Sequence, residues 1–243
     1  MPDAVLLHGM LADRRVWRGV VPQLDHLTRH LVELPGHGDA PDWDGGAYQD
    51  QALGLLDAQA QGPIHLIGHS FGATVALRFA VEHPEKLASL TLIEPVFFHA
   101  ARRTDQAAFA QYAETGAPVI DAIRAGETHK AAEMFLGAWG APGMWEALPD
   151  KARDAIAGQM HLIDVSAPSL IDDTGNIWPR LDRITCPVLY VQGANSPPVI
   201  AAIAHGLEQQ MKVDATLTIE GAGHMIPLTH GEELGRAIAQ FTA

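Results

Sequence analysis

The sequence predicts an α/β fold in which six parallel strands carry helices on their faces. Two observations lead there. Short apolar runs alternate with helical patterns along most of the chain, as in parallel sheets built from strand–helix crossovers. The third run, residues 64–67, meets Gly68-His69-Ser70-Phe71-Gly72 and then an apolar helical stretch, so one strand passes through a sharp turn straight into a helix.

The elements follow in order. Residues 4–7 read as the first strand, ending at His8-Gly9, with a short helix expected over 16–24. Residues 29–33 form the second strand, stopped by Pro35-Gly36-His37-Gly38, and residues 49–60 a helix. The third strand covers 64–68, and the helix behind it runs to His83-Pro84, where the proline ends it. The fourth strand spans 87–93 and gives way to Glu94-Pro95. The pattern then changes. From 98 to 178 no strand is evident, and Ala-rich helical stretches at 105–114, 118–124, 128–139 and 150–163 are punctuated by Gly and Pro. The fifth strand covers 187–192, a helix 198–210, the sixth strand 215–220 and a last helix 232–241. A core of residues 1–97 and 179–243 is thus interrupted once, by a helical lid over 98–178. A tract of that length is more than a loop, and at the carboxyl edge of the sheet it would cover the crevice where such folds bind ligands.

Composition narrows the classes of function. Of 243 residues, 47% are hydrophobic and 19% charged, which suits a buried globular core. The net charge of −13 disfavours nucleic acid and anionic membrane as partners, because neither phosphate array would be attracted. The single Cys186 excludes an intramolecular disulfide and reads as a buried structural thiol. No secretory pattern opens the chain and no apolar run approaches a membrane span, so a cytoplasmic location is expected. Thirteen His residues invite a metal reading, but no H-E-x-x-H or C-x-x-C spacing supports it, and no metal or cofactor is expected.

Chemistry concentrates at the strand ends. Ser70 at the turn would present its hydroxyl, and the Phe71 N–H at the new helix's start would face an oxyanion formed there. A serine hydroxyl is a poor nucleophile until a base removes its proton, and His is the side chain suited to that near neutrality. His224, in the Gly-rich turn after the sixth strand, is placed to be that base.

As a set, Gly68-His69-Ser70-Phe71-Gly72, His8-Gly9-Met10, Pro35-Gly36-His37-Gly38 and Gly223-His224-Met225 resemble the α/β-hydrolase superfamily over nearly the whole chain, and most of all its small lidded serine hydrolases. The resemblance implies Ser70 as nucleophile, His224 as general base, and the N–H groups of Met10 and Phe71 as the oxyanion hole. It also exposes a departure. Most of the superfamily carries an Asp after the fifth strand of this chain, where Gly193-Ala194-Asn195-Ser196-Pro197 places Ser196. Glu94, at the end of the neighbouring strand, is the candidate acid, as in a class of haloalkane dehalogenases; Asn195 is an alternative for holding the histidine. His8 and His37 are expected to support their turns, and His69 to pack away from Ser70. Substrate contact is assigned to His8, Phe97, His99, Trp139, His161 and Met225. Arg102-Arg103 reads as a solvated helix start. The expected activity is hydrolysis of a small or medium, mainly apolar ester through an acyl-enzyme. A carbon–carbon bond hydrolase or lyase using the same residues, and a ligand-binding receptor on this fold, are the alternatives. A small-molecule substrate and a homodimer are the expected partners.

Overall fold

The computed structural model describes residues 1–243. Its six strands are β1 (Asp3–Leu7), β2 (Thr28–Val32), β3 (Ile64–His69), β4 (Leu87–Ile93), β5 (Val188–Gly193) and β6 (Ala215–Ile219). They form one sheet in the order β2-β1-β3-β4-β5-β6, and every pairing is parallel. The order reverses direction at β1 and β3, where loops from both halves of the sheet open a crevice at the strands' carboxyl ends.

The period-two alternation of the strands feeds two apolar layers. Val5, Leu7, Leu66, Leu90, Leu92 and Tyr190 point to one face. There they meet α1 (Tyr48–Asp57), α2 (Phe71–Glu82) and α9 (Pro198–Glu208). Ala4, Leu6, Ile67, Ile93 and Val191 point to the other, against α11 (Gly231–Phe241) and the tight turns Arg14–Gly19 and Val21–Gln23. Those two 3-10 turns replace the continuous helix expected over 16–24. Gly19 and Pro22 interrupt it, since Pro22 lacks the N–H that an α-helix would need there. The strand-following helix α2 is apolar almost all round because it is buried almost all round, and Phe79 is fully inaccessible. Burying a side chain of that size stabilises the fold by about 1.5–3 kcal/mol.

Between β4 and β5 the chain is helical: α3 (Phe98–Thr104), α4 (Gln106–Arg124), α5 (Thr128–Trp139), α6 (Met144–Ala147), α7 (Asp150–Gln159) and α8 (His161–Ile171). Phe98, Ala100 and Ala101 of α3 pack into the sheet's own core beside α9. Val119, Ala122, Ala131, Ala132, Ala157 and Met160 form a separate small core joining α4, α5 and α7. Two expectations are corrected here. The stretches 105–114 and 118–124 are one helix that runs through Pro118, and the pattern over 150–163 breaks at Met160. Pro118 deprives the Glu114 carbonyl of its intrahelical donor, but both residues are exposed, so the carbonyl is not sealed from solvent. The short helix α10 (Ile226–Thr229) follows the Gly-rich turn after β6. No helix is long and apolar enough to cross a membrane.

Candidate active site

Three non-glycine residues at the carboxyl ends of β1, β3 and β4 hold left-handed backbones: Leu11 (φ 60°), Ser70 (φ 56°) and Glu94 (φ 47°). Such conformations cost of order 1–3 kcal/mol each and persist only where the surroundings enforce them. At Ser70 the cause is visible. The chain must turn from β3 into α2 within one residue, and two glycines make the room. A Cβ on Gly68 would stand 2.5 Å from the Ala73 Cα, and one on Gly72 would stand 2.5 Å from the carbonyl oxygens of Leu7 and His8. The Ser70 N–H donates to the Ile93 carbonyl at 2.9 Å, which ties the turn to the neighbouring strand.

That turn lifts the Ser70 hydroxyl to His224, whose Nε2 lies 2.9 Å from Oγ. On the far side of the ring, Nδ1 lies 2.7 Å from Oε2 of Glu94. A carboxylate only accepts, so Nδ1–H donates to it and Nε2 is left free to accept the serine proton. Glu94 is fully buried and its second oxygen, Oε1, is also engaged. The Gly193 N–H donates to Oε1 at 2.6 Å, and the Ser196 hydroxyl donates to the same atom. A buried carboxylate is costly unless its lone pairs are met, and here three donors meet them. Asn195 is exposed and its side chain makes no bond to His224; its backbone N–H is bound by the Ala222 carbonyl at 2.8 Å.

Two histidines brace this arrangement in ways that local sequence did not disclose. His69 Nε2–H donates to the carbonyl of His224 at 2.9 Å, and the two rings stand 5.1 Å apart. Rather than packing away from the site, His69 holds the backbone of the loop that carries His224. Burial, followed by the charge of His224, pushes its pKa down to about 3, so it stays neutral. His37 reaches from the turn after β2 to the loop after β1. Its Nδ1–H donates to the Pro35 carbonyl at 2.9 Å, and Nε2 accepts the Leu11 N–H at 2.9 Å. Burial, with the neighbouring His8, pushes its pKa down to about 4. The Leu11 N–H is thereby tied down beside Met10, whose own N–H has no partner within the protein. The Phe71 N–H, at the first position of α2, has no preceding helical carbonyl to meet.

These two depressed values set a dependence on pH. Unfolded, both histidines titrate near 6.5. Between pH 6.5 and about 4 the unfolded chain therefore binds more protons, and stability falls as pH falls. Each histidine contributes a slope of up to about 1.4 kcal/mol per pH unit. Urea unfolding midpoints should drop from pH 7 to pH 5, and His37→Gln should flatten that drop. A midpoint constant across the range, or unaffected in slope by the substitution, would count against it.

Ser70 and His224 lie at the floor of a cavity of about 710 Å³, within the range of small-molecule sites. Its walls are mostly apolar. Trp139 stands edge-on to the His224 ring at 4.8 Å, and Phe98 and Tyr112 stack at 3.7 Å. Trp139, Met225, Met10 and Phe71 line the space as expected for contact residues. Four substrate-contact assignments are corrected. His8 is fully buried beneath the loop, with Nε2 2.9 Å from Glu33, because strand alternation turns it away from the crevice. Phe97 is fully buried against His99, whose Nδ1 is bound by the Ile171 carbonyl at 3.2 Å. His161 is exposed beside Trp43. None of the four lines the cavity. Cys186 is only partly buried, and desolvation pushes its thiol up to about 11, which leaves it unreactive. Arg102 pairs with Asp172 at 3.0 Å.

A model of the alpha/beta hydrolase family matches residues 4–237. The chain belongs to the alpha/beta hydrolase family. It is an enzyme of the hydrolase class. This hydrolase is 30% identical to a pimeloyl-acyl-carrier-protein methyl ester esterase of Aeromonas hydrophila, over 99% of the chain and 95% of that protein. It is 26% identical to the lipase LipV of Mycobacterium tuberculosis, over 98% of the chain and 92% of that protein. Among solved structures, a hydrolase from Pseudomonas aeruginosa superposes with a TM-score of 0.73 at 21% identity, covering 99% of this chain and 89% of the other. That last likeness concerns the fold.

Proposed function

We propose that this hydrolase cleaves a small or medium, mainly apolar carboxylic ester through an acyl-enzyme on Ser70. The observation that carries the reading is the continuous relay from Ser70 Oγ through His224 to Glu94, set at the floor of an apolar cavity. Esterases and lipases among its relatives support the ester class.

The chemistry follows from the relay. Oγ attacks the ester carbonyl carbon as Nε2 of His224 takes its proton. The new imidazolium is stabilised by Glu94, which keeps its own charge. The carbonyl oxygen becomes an oxyanion, and the Met10 and Phe71 N–H groups donate to it. Collapse expels the alcohol, protonated by His224, and leaves the acyl group on Oγ. Water repeats the cycle with His224 as base and frees the acid. The helices from α4 to α8 serve as the lid, and Trp139 of α5 stands edge-on to the reacting histidine.

The test is a series of p-nitrophenyl esters graded by acyl length, run beside labelling with a fluorophosphonate. Stoichiometric labelling of Ser70 and steady turnover, rising from acetate toward medium chains, are expected. Labelling with no turnover of any ester would replace ester hydrolysis by carbon–carbon cleavage or elimination. Absence of labelling would remove Ser70 as nucleophile.

A further inference from the structure

Ser196 stands where most of the superfamily places the acid of the triad, yet it is neither an acid nor idle. We propose that Ser196 is a positioning residue for catalysis: its hydroxyl, with the Gly193 N–H, pins Oε1 of Glu94 and so turns Oε2 onto Nδ1 of His224. The proposal rests on the relay described above and adds to it the device that orients the acid.

The geometry requires such a device. Glu94 arrives from β4, one strand away from the usual origin of the acid, on a side chain with one more rotatable bond than Asp. It begins from a left-handed backbone, φ 47°, and ends in a fully buried site. A carboxylate on that longer side chain meets the histidine only when its torsions are held. The loop after β5 holds them by supplying two donors to one oxygen, which leaves the other directed at Nδ1. That loop is itself fixed to the loop of His224. The Ala194 N–H donates to Ile219, the Asn195 N–H donates to Ala222, and a Cβ on Gly193 would stand 2.4 Å from the Ala222 oxygen. Acid, hydroxyl and histidine therefore sit on loops that are bonded to one another. A hydroxyl suits position 196 because a second carboxylate there would stand against Glu94, and two like charges at hydrogen-bond distance cannot both stay ionised.

The experiment measures kcat and KM on the best p-nitrophenyl ester for Ser196→Ala, Ser196→Thr, Glu94→Gln and the double variant Glu94→Gln with Ser196→Ala. Ser196→Ala should lower kcat about tenfold with KM within twofold, since the hydroxyl lies behind the acid and away from substrate. Ser196→Thr, which keeps the hydroxyl, should return to within threefold of the parent. In the Glu94→Gln background, Ser196→Ala should cost less than twofold, because the hydroxyl then holds only an amide that no longer supports the productive tautomer of His224. Thermal unfolding of each variant shows that the rates belong to folded protein. If Glu94→Gln is impaired while Ser196→Ala matches the parent, or if its loss persists undiminished in the Glu94→Gln background, Ser196 is not the positioning residue. If Glu94→Gln itself retains full activity, the relay reading fails instead.

Discussion

Ser70→Ala should lower ester turnover by on the order of 10⁶, the scale seen when a serine hydrolase loses its nucleophile. The residue stands alone in its role. Oγ is the atom 2.9 Å from Nε2 of His224, and no other hydroxyl or thiol is bonded to that nitrogen. What remains after substitution is binding in the cavity and donation from the Met10 and Phe71 N–H groups, which elsewhere leave about 10³–10⁴ over water. Folding should be nearly unchanged, since a hydroxyl at a site 9% exposed is replaced by hydrogen. Steady-state rates on purified variant, beside fluorophosphonate labelling, give the answer. Near-parental turnover would show that another group performs the attack.

Glu94→Gln should cost on the order of 10²–10⁴ in kcat, and the surroundings place it toward the upper end. Gly193 N–H and Ser196 O–H both donate to the Oε1 position. A glutamine must therefore put its carbonyl oxygen there, which leaves its NH₂ facing His224. Nδ1 then has to accept rather than donate, so the ring's one proton moves to Nε2, and Nε2 can no longer take the proton of Ser70. The substitution thus imposes the wrong tautomer as well as removing a charge. Measured kcat within fivefold of the parent would mean that Glu94 does not set the state of His224.

Much of the fold was legible because strand ends and sheet burial are local signals. The runs at 64–67 and 87–93 are mostly apolar on both faces, as strands covered on both sides tend to be, with only His65, Ser89 and Thr91 breaking them. Ser70, Glu94 and His224 stood out for a related reason: each directly follows a strand or its closing turn, where polar residues are otherwise hard to place. Helix limits between 98 and 178 were less readable. Pro118 and Pro168 signal breaks by composition, but both are exposed, and the helices continue through them. His37's hold on its own turn, through the Pro35 carbonyl, was expected, but the bracing contacts between loops were not legible. His69 meets the His224 carbonyl, His37 meets the Leu11 N–H, and Ser196 meets Glu94, and each pairing joins loops from different parts of the chain. Such contacts exist only once the sheet order has brought the loops together. Two of the four misplaced contacts, His8 and Phe97, lie just past a strand end, where a side chain can face the crevice or the core; His99 and His161 lie on α3 and α8, where helix packing decides which way they face.

The left-handed residues Leu11, Ser70 and Glu94 all lie at the reacting end of the sheet. Their combined conformational cost is a fair fraction of the 5–15 kcal/mol that holds a typical domain folded. Glycine relieves such a cost at any of the three, and at Ser70 or Glu94 it would also abolish the relay. Heat tolerance and competence therefore pull in opposite directions at these positions. A library screened for survival at high temperature alone would enrich inert proteins, and thermostabilisation of this hydrolase has to be sought elsewhere, with Ser70 and Glu94 held fixed.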